Sequence, residues 1–181
     1  MLPPCTELEP FFKVQPNYEG ALRLVRHSSQ GDTKFAKNFV QEVELMRIAQ
    51  RCEMHFLPGP SFLAPCEFVF KYPRTDKPEV IAEFLAKGNC FWYSLPAGYM
   101  DMGPRVILEA MAAGLPILAD NWGGAIDRVT PECGWLCDTK DEMASVLKYL
   151  TPSNLKRMGE AARARAYDEF RPEAWLRELL K

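Results

Sequence analysis

Two carboxylates, Asp101 and Glu109, flank the seven residues MGPRVIL in a stretch that reads DMGPRVILEAMAAG and continues LPILADNWGG. Gly103 and Pro104 mark the start of a helix that carries Glu109 and stops at Gly114. A buried-strand pattern follows over 116–119, and then a double glycine, Gly123 and Gly124. Free N–H groups at a helix N-terminus, together with the helix dipole, bind anions. A carboxylate further along the same helix can accept hydrogen bonds from two vicinal hydroxyls. Together these features suit a sugar diphosphate.

Such a ligand needs a scaffold that brings the motif to an edge. Residues 21–25, ALRLV, read as a buried strand, and 38–51 place Phe39, Val43, Met46 and Ala49 at helical spacing. MHFL at Met54 and FVFKY at Phe68 read as strands. Residues 77–87 form a helix with Val80, Ile81, Phe84 and Leu85 on one side, and 89–94 return to strand. After the motif helix come strand ILAD, strand GWLC and a helix over 141–150. This alternation predicts an α/β fold, a Rossmann-like parallel sheet with helices on both faces. Ligands of such sheets bind beyond the carboxyl ends of the strands. Arg26, Asp101 and Asn121 all fall just after predicted strands or in the loops leaving them.

Composition narrows the function classes. Apolar content of 48%, charged content of 25% and a net charge of -2 describe an ordinary globular chain without the basic surface that nucleic acid requires. No segment approaches the ~20 apolar residues that span a membrane, and the first residues have neither the basic nor the apolar region of a signal peptide. Six cysteines lie scattered, and the closest pair, Cys133 and Cys137, has no histidine beside it to complete a zinc site. Free thiols in a reducing cytoplasm are the expectation. His27 and His55, the only histidines, form no triad; His55, in a strand, reads as structural.

The motif resembles the donor-binding signature of retaining glycosyltransferases with the GT-B fold, glycosyltransferase family 4, which reads E-G-F-G-x-x-x-x-E-A-M-A-x-G-x-P-V-x-A. PPCTELEPFF resembles that family's interdomain linker, LRLVRHSSQGDTKF its first C-domain strand and phosphate loop, and GGAIDRV its GG-x-x-E-x-V. The resemblance covers nearly all of the chain but only the C-terminal half of a family member. It implies that Glu109 holds the nucleotide ribose and that Asp101 faces the donor sugar. Arg26 and Lys34 are then expected on the diphosphate, with the N–H groups of Gly103, Arg105 and Val106. These cations stand where other glycosyltransferases use a metal, so no metal and no cofactor are expected beyond a UDP-, GDP- or ADP-sugar as co-substrate.

The resemblance also implies an organisation: a linker or arm over 1–19, a nucleotide-sugar-binding domain over 20–150, and helices over 151–181 that pack on a missing N-terminal acceptor domain. The chain alone is then expected to be inactive, to sit in the cytoplasm (the full-length enzyme peripheral at the inner face of a membrane) and to self-associate through the uncovered face. Two departures stand out. Asp101 is one methylene shorter than the family's glutamate, and Pro104 removes an N–H where the family has glycine. Each position also has a plainer reading. Asp101 fits a helix cap, Glu109 a partner for Arg105 one turn earlier, Arg26 and Lys34 solvated cations, and the glycine pair a simple turn. A non-catalytic nucleotide-sugar-binding module and another GT-B chemistry, such as nucleotide-sugar epimerisation, remain the alternatives.

Overall fold

The computed structural model describes residues 7–28 and 31–180; Cys5 and the prolines at the start of the arm lie outside them, as do the side chains of Trp175 and Leu179. Six strands, β1 (Leu22–His27), β2 (Cys52–Leu57), β3 (Val69–Lys71), β4 (Cys90–Tyr93), β5 (Ile117–Asp120) and β6 (Gly134–Cys137), form one sheet in the order β3-β2-β1-β4-β5-β6. Every pairing is parallel. β4 is buried along its whole length and β5 in all but its last residue, which is why CFWY and ILA read as continuous apolar runs.

Helices α2 (Phe39–Ala49) and α5 (Lys140–Leu147) cover one face, through Phe39, Val43, Met46, Met143 and Leu147 against Met54, Phe56, Trp92 and Leu118. The other face packs against α3 (Pro78–Leu85), α4 (Arg105–Ala112) and α6 (Pro152–Glu169). In α3 the buried stripe is Ile81, Ala82, Phe84 and Leu85. Val80, expected on that side, is 41% exposed, because the 3.6-residue period carries it past the sheet.

Residues 7–19, read above within a linker, pack onto the domain. A single turn, α1 (Glu9–Phe12), buries Phe11, and Leu8 and Val14 join the same core. The Arg163 side chain of α6 donates to the carbonyls of Val14, Ala112 and Ala113, tying this segment to the end of α4. Gly114, at φ +82°, ends α4: its N–H bonds Met111 O at 2.9 Å and that of Leu115 bonds Ala110 O at 3.0 Å. This double bond is how a glycine in the left-handed region closes a helix. A last helix, α7 (Pro172–Leu179), follows α6, with Leu176 exposed on it and Leu180 just beyond its end.

Candidate functional site

The sheet order reverses between β1 and β4, and a crevice opens there beyond the strand ends. A cleft of about 380 Å³ occupies it, with His27, Lys34, Arg74, Asp101, Gly103 and Arg105 in its wall. A larger cleft of about 580 Å³ lies elsewhere, between β6 and α5 around Trp135, Val146 and Tyr149, but its lining is apolar and offers little to a charged ligand.

Glu109 is 2% exposed, held within α4. Its Oε1 lies 2.9 Å from Arg105 Nε, so the intrahelical pairing open in the sequence is formed. Its Oε2 lies 2.7 Å from His27 Nε2, near enough for an ion pair but too poorly aligned for a hydrogen bond. The sequence places His27 near the phosphate by its adjacency to Arg26, and its pairing with Glu109 is not legible there. Its only signal is its place at the end of β1, one step past Arg26.

Asp101 is gripped from three sides. Lys34 Nζ lies 2.6 Å from Oδ2, the Tyr93 hydroxyl donates to the same oxygen at 2.7 Å, and Gly103 N–H reaches Oδ1 at 3.4 Å. The two residues expected on the sugar and the diphosphate thus form one ion pair, joining the loop after β1 to the loop after β4. Tyr93 is another residue that sequence reading missed; it ends β4, and only its register against Asp101 reveals it.

Burial alone raises the Asp101 pKa, but hydrogen bonds from Lys34 and Tyr93 outweigh it and hold the carboxyl below its usual value. A carboxyl lowered on folding stabilises the protein above its unfolded pKa of about 3.9 and loses that contribution as pH falls through the folded value. Asp101→Asn is therefore expected to flatten the loss of thermal stability on acidification below about pH 4. Melting curves of both proteins from neutral to acidic pH test this, and identical slopes would refute it. Burial, and then the Asp101 charge, push the Tyr93 hydroxyl upward, so it remains a donor throughout this range.

Arg26 does not line this cleft. It lies inside β1 rather than in the loop after it, and successive strand residues point to opposite faces. His27 therefore takes the α4 side, while the Arg26 guanidinium is buried over the Phe35 ring at 4.1 Å and donates to Lys34 O. Burial lowers its pKa to about 10, against the pull of Tyr93, Glu42 and Asp120, so it stays a cation at neutral pH.

The helix start is shaped by contact with the double glycine. Gly123, at φ +58°, and Gly124 both face the 101–104 segment. A Cβ on Gly124 would stand 2.5 Å from Met102 O, and its N–H bonds Asp101 O at 2.8 Å. Close approach and a positive φ both explain the pair. Pro104 caps α4, so Arg105 and Val106 supply first-turn N–H groups that the helix itself leaves without partners. Asp127 is exposed. Its neighbour Arg128 is buried and donates to Gly124 O at 2.6 Å. His55 sits between Tyr72 and Glu53, at 3.1 and 3.3 Å.

Sheet order, crevice and motif helix define a Rossmann-like domain of the kind that forms the C-terminal half of a GT-B fold. Solved structures agree. The chain superposes on sucrose-phosphate synthase from Thermosynechococcus elongatus at 19% identity and TM-score 0.70, covering 98% of this chain and 50% of that one. It covers 97% of itself and 54% of a glycosyltransferase from Rickettsia africae at 14% identity and TM-score 0.70. HepE from Anabaena, solved in complex with UDP and glucose, aligns at 17% identity and TM-score 0.68 over 87% of this chain and 46% of HepE. The chain thus spans about half the length of these structures. No curated protein matches it in sequence. It belongs to the family of glycosyl transferases group 1, whose family model matches residues 66–165.

Proposed function

We propose that this domain binds the nucleotide-sugar donor of a retaining glycosyltransferase. The observation that carries the reading is the buried Glu109 carboxylate, placed by α4 beside the crevice and flanked by an Arg105 side chain that is 59% exposed. An exposed arginine can turn out to solvent and hand its acceptor oxygen to a ribose hydroxyl at little cost. In this reading the first-turn N–H groups of Arg105 and Val106, with Lys34, take the diphosphate. Arg74 and its neighbours stand toward the base, and Asp101 orients the sugar. Arg26, buried beneath Lys34, contributes positive potential rather than a direct bond.

When the bond from the sugar anomeric carbon to the diphosphate breaks, charge gathers on the leaving oxygen, and preorganised cations and N–H donors stabilise it. The acceptor hydroxyl then bonds to the anomeric carbon on the same face, and its proton passes to the departing phosphate. The acceptor and further groups for that step belong, in this reading, to an N-terminal half beyond these 181 residues. The chain alone is then expected to bind donor and transfer sugar slowly or not at all.

The test is thermal stability with millimolar UDP, GDP and ADP sugars. A ligand at ~100 times its Kd stabilises by about 2.7 kcal/mol. Stabilisation by one nucleotide class supports the reading, and stabilisation by none refutes donor binding by this domain.

A further inference from the structure

A second cleft, of about 440 Å³, opens beyond the ends of β4, β5 and β6 on the α2–α5 side of the sheet. The loops after β1 and β4 wall this cleft as well as the first, so an occupant would sit beside the nucleotide cleft. Its ionic groups are already partnered. Lys140 pairs with Asp120, whose other oxygen accepts the Leu95 N–H at 2.6 Å. Asn121 donates to Asp138 at 2.8 Å, and the buried Glu42 accepts the Ser94 hydroxyl at 2.6 Å. With three carboxylates against one lysine, the cleft repels phosphate. Among the described residues no group of side chains could hold a metal ion. The wall sets these paired carboxylates, amide and ammonium beside Ala36, Leu95, Pro96 and Ala97, a mixture that suits an amphipathic molecule better than a wholly apolar one.

Two features point to a ligand. Trp122 stands at the cleft and is 46% exposed as a residue, although tryptophan usually buries most of its surface. Arg26, 1% exposed and within the field of the cleft's Glu42 and Asp120, has no hydrogen-bond partner for its Nε and Nη1 among the described residues. An exposed aromatic face beside fixed planar donors and acceptors recognises a ring with C–H groups on its face and hydroxyls at its edge. The size fits the range of small-molecule sites. We propose that this second cleft binds an uncharged saccharide, independently of the nucleotide.

Saturation-transfer NMR of this chain with maltose, glucose and N-acetylglucosamine tests the site. At least one sugar is expected to receive saturation, and Trp122→Ala or Asn121→Ala to weaken that sugar about tenfold, the loss of ~1.4 kcal/mol. Both residues are at the surface, and the melting temperature of each variant checks its fold. Adding UDP, or substituting Glu109→Gln, should leave the saccharide signal in place. No saturation of any of the three sugars overturns the proposal. So does a signal that survives both cleft substitutions, or one that UDP abolishes, which would put the sugar in the first cleft. Because nucleotide binding is read separately by thermal shift, failure of either reading leaves the other standing.

Discussion

If Glu109 holds the ribose as proposed, Glu109→Gln is expected to weaken nucleotide binding about a hundredfold while leaving the domain folded, since hydrogen bonds to a charged acceptor contribute ~1.5–3 kcal/mol and the proposed contact makes two. The amide keeps the carboxylate's shape but presents one acceptor where the ligand requires two. The fold tolerates the change for reasons visible around the residue. Arg105 is mostly exposed, so its charge returns to water, and the intrahelical pair it loses is worth only about 0.5 kcal/mol. His27 keeps a polar neighbour in the glutamine. Calorimetric titration of both proteins with whichever of UDP, GDP or ADP stabilises the wild type decides the matter. Equal Kd values would mean that Glu109 serves only to pair His27 and Arg105, and the ribose assignment would fall.

Gly159→Ala is expected to destabilise the domain by about 3 kcal/mol, near the upper end for overpacking a close contact. Ordinarily this exchange in the middle of a helix is favourable, by up to about 1 kcal/mol. Here a Cβ on Gly159 would stand 2.2 Å from Gly114 O and 2.4 Å from the Tyr18 hydroxyl, which itself bonds that carbonyl. Gly114 O is backbone held at the end of α4 and cannot rotate away. Relief therefore requires α6 to move off α4, taking the Arg163 bonds with it. For a chain of this size the melting temperature should drop by roughly 6–12 °C. A neutral or stabilising Gly159→Ala would show that α6 and α4 are not in contact at this point. Because α4 carries Glu109, the variant should also weaken nucleotide binding in proportion to the shift of the helix.

Much of this was legible in the order of residues. Periods of 2 and 3.6 are local properties, so the strands and helices, their alternation and the parallel sheet follow from windows of a few residues. Gly114 as a helix stop, and Asp101 and Asn121 in the loops at the carboxyl ends of the strands, follow in the same way. What failed at this level was fine phase. Val80 sits at helical spacing from Phe84, yet a small rotation of α3 leaves it in solvent. β1 runs two residues past ALRLV, so Arg26 stands in the strand and its guanidinium faces the aromatic core, while His27 takes the cleft.

The sequence by itself determined the layers and the edge on which chemistry can occur, because each depends on residues near one another in the chain. Only the tertiary structure decided who meets whom on that edge. Lys34 and Asp101 are 67 residues apart, Arg163 and Val14 149 apart, and Glu42 and Ser94 52 apart. No local pattern encodes those pairs. They exist because close packing of two helical layers on a twisted sheet brings these particular donors and acceptors together across the chain.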